Sequence, residues 1–186
     1  LQVAQAEPDG YTLLIHASAH SAAPASYPKL SYDTAGDFAG IAVFGNVPNV
    51  TVISPAKGIR RLRDLVEAGR KSNLTFASAG VGAITHLIME DMGARLGLDM
   101  VHVPYRGAAP AMTDLIAGRL QLYFDNMPGV LPQVREGRVR ALAVAGAERA
   151  AALPELPTMA EAGLPGFEAS SWFGMAAPSG TPQALI

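Results

Sequence analysis

Apolar residues change their spacing partway along the chain. In the first 54 positions they fall in short runs: 10–15 follows a Pro8-Asp9-Gly10 turn signal, 40–44 and 50–54 have strand length, and Pro55 stops the last of them. Aliphatic, aromatic and β-branched residues bracketed by turn formers predict strands. Residues 17–27 are small and polar and read as a loop. From residue 61 the spacing becomes helical in places, with Leu62, Leu65 and Val66 inside 61–71, then Ile84, Leu87, Ile88 and Met92, on a period of about 3.6 residues. Helices are also expected at 110–117 and 130–136, and apolar runs of strand length at 74–77, 100–103, 120–124 and 139–145 alternate with all of them. Strands that alternate with helices need crossover connections, which predicts an α/β sheet with parallel pairs. Residues 146–166 are looser, with a short helical stretch expected at 159–162; 167–177 reads as extended, and Pro178-Ser179-Gly180-Thr181-Pro182 as a turn that opens a last helix. The segment 55–168 is large enough for a domain, leaving 1–54 and 169–186 as flanks that pair into a second one.

Composition narrows what such a fold does. Hydrophobic residues are 49% of the 186 and charged residues 16%, so a core is available and a disordered chain is excluded. The 14 Lys and Arg stand against 16 Asp and Glu, with no like-charge run longer than a pair. No nucleic-acid partner is expected from that balance. The absence of cysteine excludes disulfides, thiolate metal sites and a cysteine nucleophile. The longest charge-free stretch, 38–56, contains Asn46, Pro48, Asn49 and Pro55 and does not read as a membrane span, which needs about 18 to 20 consecutive apolar residues. The opening residues 1–6 read as the end of a helix cut in its middle and not as a signal peptide.

The most informative local pattern is Thr75-Phe76-Ala77-Ser78-Ala79-Gly80-Val81-Gly82-Ala83-Ile84-Thr85-His86, a strand that passes through a small-residue turn into a helix. Small residues let backbone N–H groups approach a ligand, and a helix N-terminus adds unpaired donors and partial positive charge. A carboxylate or a phosphate suits it, with Ser78, Thr85 and His86 adding side-chain hydrogen bonds; a tight turn with no ligand is the plainer alternative. No Lys follows Lys71, so a Walker phosphate loop is excluded. Thr85 stands where a dinucleotide fingerprint needs its third glycine, and Asp99 precedes the next strand, whereas a ribose acid lies at that strand's far end. Ser78 lacks the Gly-x-Ser-x-Gly context of a nucleophile elbow. His86 reads as a cap or ligand contact and His102 as a core or edge histidine. His16 and His20 lie on a strand-to-loop segment whose spacing does not put both on one face, and no metal is expected there. Two polar segments follow strands, where open α/β sheets bind ligands: Tyr105 and Arg106, then Asp125 and Asn126. Arg106 reads as a counter-charge for an acidic ligand or a solvated surface Arg. Asp125 reads as a helix cap or a contact to a ligand amine or hydroxyl.

Together these segments resemble the extracytoplasmic solute receptors of tripartite tricarboxylate transporters, the Bug receptor family. The resemblance rests on Pro8-Asp9-Gly10-Tyr11-Thr12-Leu13-Leu14, Tyr27-Pro28-Lys29-Leu30, Val47-Pro48-Asn49, Ser78-Ala79-Gly80-Val81-Gly82 and His102-Val103-Pro104-Tyr105-Arg106-Gly107. It continues through Phe124-Asp125-Asn126, Ala141-Leu142-Ala143-Val144 and the segment from Leu153 to Gly163. It implies a two-lobed α/β periplasmic binding protein, type II-like, with crossovers near 52–55 and 171–175. The first lobe would be 1–54 with 169–186, the second 55–168. It further implies a small organic carboxylate, a dicarboxylate or an aromatic acid, enclosed between the lobes and passed to a large and a small membrane subunit. The residues carried over are Ser78, Ala79, Gly80, Val81, Gly82, Thr85 and His86 as a second-lobe carboxylate cradle, and Ser18, Ala19 and His20 as first-lobe contacts. Tyr105, Arg106, Asp125 and Asn126 would line the cleft.

No cofactor, no metal and no catalysis are expected, and a sensor protein is a further conceivable partner. Family chains begin with a signal peptide, a first strand and a glycine-rich loop and continue beyond the point reached by Ile186. The resemblance thus implies a periplasmic protein of which this sequence is either a fragment or a truncated form, with an incomplete first lobe. The alternatives are a ligand-sensing α/β domain of a regulator, and a small α/β hydrolase or reductase using the same glycine loop.

Overall fold

The computed structural model describes residues 1–186. The strands are β1 (Leu14–Ala17), β2 (Phe38–Ile53), β3 (Leu74–Ser78), β4 (Met100–Pro104), β5 (Leu122–Asn126), β6 (Arg140–Val144) and β7 (Ser170–Pro178). The helices are α1 (Ala19–Ser26), α2 (Leu62–Gly69), α3 (Ile84–Leu96), α4 (Ala108–Ile116) and α5 (Met127–Arg135). Short 3-10 turns occupy Pro55–Lys57 and Gln183–Leu185. The chain divides into one unit made of Leu1–Asn46 and Ser171–Ile186 and another made of Val47–Ser170.

In the Val47–Ser170 unit the strands run in the order β6, β2, β5, β3, β4. β3 is parallel to β4 and β5, as the helical crossovers require, while β2 is antiparallel to β5 and β6. Alternation along the strands gives the sheet two apolar faces. Leu74, Phe76, Leu122, Phe124 and Ile53 pack with Leu62, Leu65, Met89 and Met92 of α2 and α3. Ala77, Tyr123, Val50 and Val52 pack with Ala111, Leu115 and Val130 of α4 and α5. Both sets are almost fully buried, and at about 25 cal/mol per Å² of apolar surface this burial is the main stabilising term.

In the other unit β1 is antiparallel to β7, with His16 opposite Gly174 and Ala17 opposite Phe173. The backbone of β7 runs close beside β2, so a Cβ at Gly174 would lie 3.0 Å from the Ala42 carbonyl oxygen. This unit leaves Tyr11, Ile15, Val43 and Phe44 more than half exposed.

Several sequence expectations need correction. The strand expected at 10–15 is Leu14–Ala17, and the loop expected at 17–27 holds α1. Alanine at 19, 22, 23 and 25 favours a helix without producing an amphipathic period, so the pattern gave no signal. The runs 40–44 and 50–54 belong to one 16-residue strand, β2. Pro48 does not interrupt it, because the ladder to β5 begins only at Asn49 and needs no amide before that point. The units divide at 46/47 and 170/171 rather than at 54/55 and 168/169, since the buried second half of β2 already belongs to the larger sheet. At 159–162 there is a turn and no helix: Thr158 and Glu161 bond reciprocally as a cap does, but Gly163 at φ 108° and Pro165 end the segment. The helix expected after 178–182 is a single 3-10 turn, and residues 1–6 form turns.

Candidate functional site

Leu74, Phe76 and Ser78 alternate onto the face of β3 covered by α3, which buries Ser78 completely. Residues 79–83 then climb from the strand end to the first turn of α3. Gly80 at φ 146° and Gly82 at φ 75° make that path possible, since a side chain at such angles is strained. The loop is held from within and from the side. The Ser78 hydroxyl accepts from the Gly80 amide (3.1 Å) and donates to the Gly80 carbonyl (2.9 Å), and the Gly82 amide donates to His86 Nδ1 (3.2 Å). The Ala79 amide lies 3.5 Å from Thr85 Oγ1, whose side chain is buried. From the segment after β4, the Tyr105 amide donates to the Ser78 carbonyl (3.1 Å) and the Gly107 amide to the Ala79 carbonyl (3.2 Å). The amides of Ile84 and Thr85 in the first turn of α3 have no acceptor within the chain. Val81, at the loop's apex, is largely exposed.

His102 joins this cluster, which sequence reasoning missed. Parallel pairing sets His102 beside Phe76 on the face that carries Ser78, and its Nε2 lies 2.6 Å from Ser78 Oγ. The His86 ring stacks on it with centroids 3.8 Å apart, and Phe76 stacks on both rings, 4.9 Å from His102 and 6.2 Å from His86. Burial lowers the His102 pKa, the neighbouring His86 lowers it further, and Glu90 opposes both. His86 Nε2 faces Glu90 Oε1 at 3.5 Å. The Ser78 hydroxyl is fully used if His102 Nε2–H donates to its Oγ, because the serine proton is then free for the Gly80 carbonyl. A buried serine that spends its proton on the backbone is a structural anchor and not a nucleophile.

The other sequence candidates separate. Tyr105 donates its hydroxyl to Asp114 Oδ2 (2.7 Å), and Asp114 also holds Arg119 at 2.7 Å, so the Tyr105 backbone rather than its phenol serves the loop. Arg106 is exposed. Asn126 lies on the Ser78 face of the sheet and accepts from Asn49 Nδ2 (3.1 Å), a buried partner that sequence reasoning did not single out. Asp125 lies on the opposite face with Tyr123. There it helps line a cavity of about 460 Å³ with Ala108, Met112, Gly129, Gln133 and Arg138, between α4 and α5. Its Oδ1 accepts from the Asn126 amide (2.8 Å), and it is not the cap of α5, whose N-cap is Asn126. Burial pushes the Asp125 carboxyl up, partly offset by that amide, and it pushes the nearby Tyr123 phenol up as well.

In the other unit, Ser18 follows β1 as the N-cap of α1, which Ala19 and His20 begin. The Ser18 amide donates to the Trp172 carbonyl (2.9 Å). Contrary to the reading of 17–27 as a loop, the helix brings His20 to His16, with ring centroids 4.9 Å apart. His16 also meets Trp172 edge-on, while His20 stacks on Tyr32 and meets Phe38 edge-on. His16 Nδ1, Ser18 Oγ and His20 Nε2 are all buried without a partner. Burial lowers the His20 pKa, and His16 adds to the effect.

A family profile described as "Tripartite tricarboxylate transporter family receptor" matches residues 1–186. A curated relative from Pseudomonas sp. (strain P51), the UPF0065 protein in the tcbD-tcbE intergenic region, is 39% identical over 99% of this chain and 56% of its own length. Protein BugT of Bordetella pertussis is 36% identical over 98% of this chain and 57% of its own. The chain therefore spans little more than half the length of the curated relatives it matches. Among solved structures, R. palustris Rpa4515 with adipate has a TM-score of 0.94 at 36% identity, covering 99% of this chain and 62% of that one. The periplasmic binding protein BugD gives 0.91 at 36%, with 99% and 62% covered. MatC from Rhodopseudomonas palustris with bound malate gives 0.89 at 34%, with 99% and 64% covered. The mixed α/β architecture is that of periplasmic binding proteins.

Proposed function

Because the chain belongs to the tripartite tricarboxylate transporter family of receptors, a family of binding proteins and not of enzymes, we propose that it binds a small organic carboxylate at the glycine loop of the Val47–Ser170 unit. The observation that carries this reading is the pair of free amides, Ile84 and Thr85, at the N-terminus of α3 beside a loop without side-chain bulk at Gly80 and Gly82. Such donors, aligned with the helix dipole, suit an anion. That the related structures hold adipate and malate supports a dicarboxylate as the ligand class. Asn126 and exposed Arg106 are the side chains proposed to select among acids, and Ser18 and His20 are proposed as ligand contacts of the other unit, since their buried polar atoms lack partners. The full-length receptor would hand the acid to the membrane subunits of its transporter from the periplasm.

The test is calorimetry on the full-length receptor with adipate and malate, repeated with Ile84→Pro. Proline is tolerated at the first helical position, and Ala83 before it already has the extended backbone that a following proline demands. The substitution thus removes one free donor in place. A hydrogen bond to a charged group is worth about 1.5–3 kcal/mol, so affinity should fall roughly tenfold or more. Undiminished affinity in a folded Ile84→Pro protein would remove the helix terminus from the site.

A further inference from the structure

Two amides of the glycine loop are held by side chains that meet in one imidazole pair. The Gly80 amide is held by Ser78 Oγ, which His102 Nε2 contacts at 2.6 Å, and the Gly82 amide is held by His86 Nδ1 at 3.2 Å. The two rings are stacked at 3.8 Å. We infer that His86 and His102 form a proton-sensitive latch on the glycine loop, His86 by occupying the Gly82 amide and His102 as a positioning residue acting through Ser78. This rests on the loop being the carboxylate cradle proposed above.

His86 Nδ1 accepts a hydrogen bond, so it carries no proton in the latched state, and the proton resides on Nε2, which faces Glu90. The Gly82 amide cannot serve His86 and a ligand oxygen together. An anion seated there must displace the imidazole, whereas protonation of Nδ1 displaces it first and leaves an N–H donor beside the freed amide. The charged or titratable groups facing His86 are Glu90 on its own helix, which stabilises the cation, and His102 on β4, which opposes it when protonated. Partial burial, with His86 beside it, lowers the His102 pKa, and His102 keeps Ser78 and the Gly80 amide in place while His86 swings.

The experiment is an NMR titration of the full-length receptor between pH about 8 and about 6, spanning the ordinary histidine value of about 6.5. The Gly82 amide resonance should move with the same midpoint as the His86 ring, and His86→Asn, which keeps an acceptor near the Nδ1 position but cannot be protonated, should flatten the response. A Gly82 resonance that stays put while His86 titrates overturns the latch, and so does a response that survives in His86→Asn. Adipate affinity, measured in parallel, should rise towards the acid end and should lose that slope in His86→Asn. His102→Ala should weaken adipate binding and His102→Gln, which keeps a donor to Ser78, should restore it; equal losses in both contradict the positioning role. If adipate binds at no pH, the carboxylate reading fails, and the Gly82 titration decides the latch alone.

Discussion

Each unit has a pair of histidines in ring contact, and the two pairs differ in what their nitrogens do. His86 and His102 are bonded into the glycine loop, through Gly82 and Ser78, and the loop's polar atoms are mostly spent on one another. His16 and His20 leave one buried nitrogen each without a partner, as Ser18 leaves its hydroxyl. A buried polar atom without a hydrogen bond costs about 1–3 kcal/mol, so it persists only where something offsets it. The first pair belongs to a preformed element in which a ligand at the Gly82 amide would have to compete with His86; the second belongs to a cluster whose buried polar atoms would be satisfied only by a group supplied from outside it.

The largest effect that would break this contrast is expected at Gly82. Leucine there meets a φ of 75°, which costs a non-glycine residue about 1–2 kcal/mol, and it fills the approach to the loop. Gly82→Leu should abolish adipate binding while only moderately lowering thermal stability, both read on the full-length receptor. The two buried serines come next. Ser78→Ala removes the anchor of the Gly80 amide and leaves it and His102 unmatched, at a cost of about 1–3 kcal/mol in denaturant unfolding. Ser18→Ala deletes an unpartnered hydroxyl and should leave the ligand-free protein as stable or slightly more so, while weakening the bound state. Equal losses at both positions would erase the distinction between the two regions.

Smaller effects follow from titration. The Asp125 pKa is raised in the folded state, so its stabilising contribution is present at low pH and lost as pH rises through that elevated value. Asp125→Asn should therefore stabilise the protein at neutral pH and make little difference in acid, as thermal unfolding at two pH values would show. His102 and His20 have lowered values, so the unfolded chain binds more protons over the window below the ordinary histidine value. Stability should fall as pH drops below about 6.5, and His102→Gln should reduce that fall.

The strand–loop–helix of the glycine segment was legible because it has both signals at once: small residues at Gly80 and Gly82, then a helical period from Ile84 to Met92. α1 was not, because alanine forms helices without an amphipathic stripe. His102 escaped because its meeting with Ser78 depends on the register between β3 and β4, a pairing that the local pattern does not encode. Asp125 and Asn126 read as one polar pair in the sequence, although strand alternation puts neighbours on opposite faces. Phe124, buried with the α3 face, marks Asn126 as the residue that shares it.

The central claim is that the acid binds at the amides of this loop. The most direct measurement is a titration of the amide-labelled full-length receptor with adipate, followed residue by residue. The largest perturbations should fall on Gly82, Ile84 and Thr85, with the Gly82 amide leaving its bond to His86. Saturable binding that leaves those three amides unmoved would contradict the account.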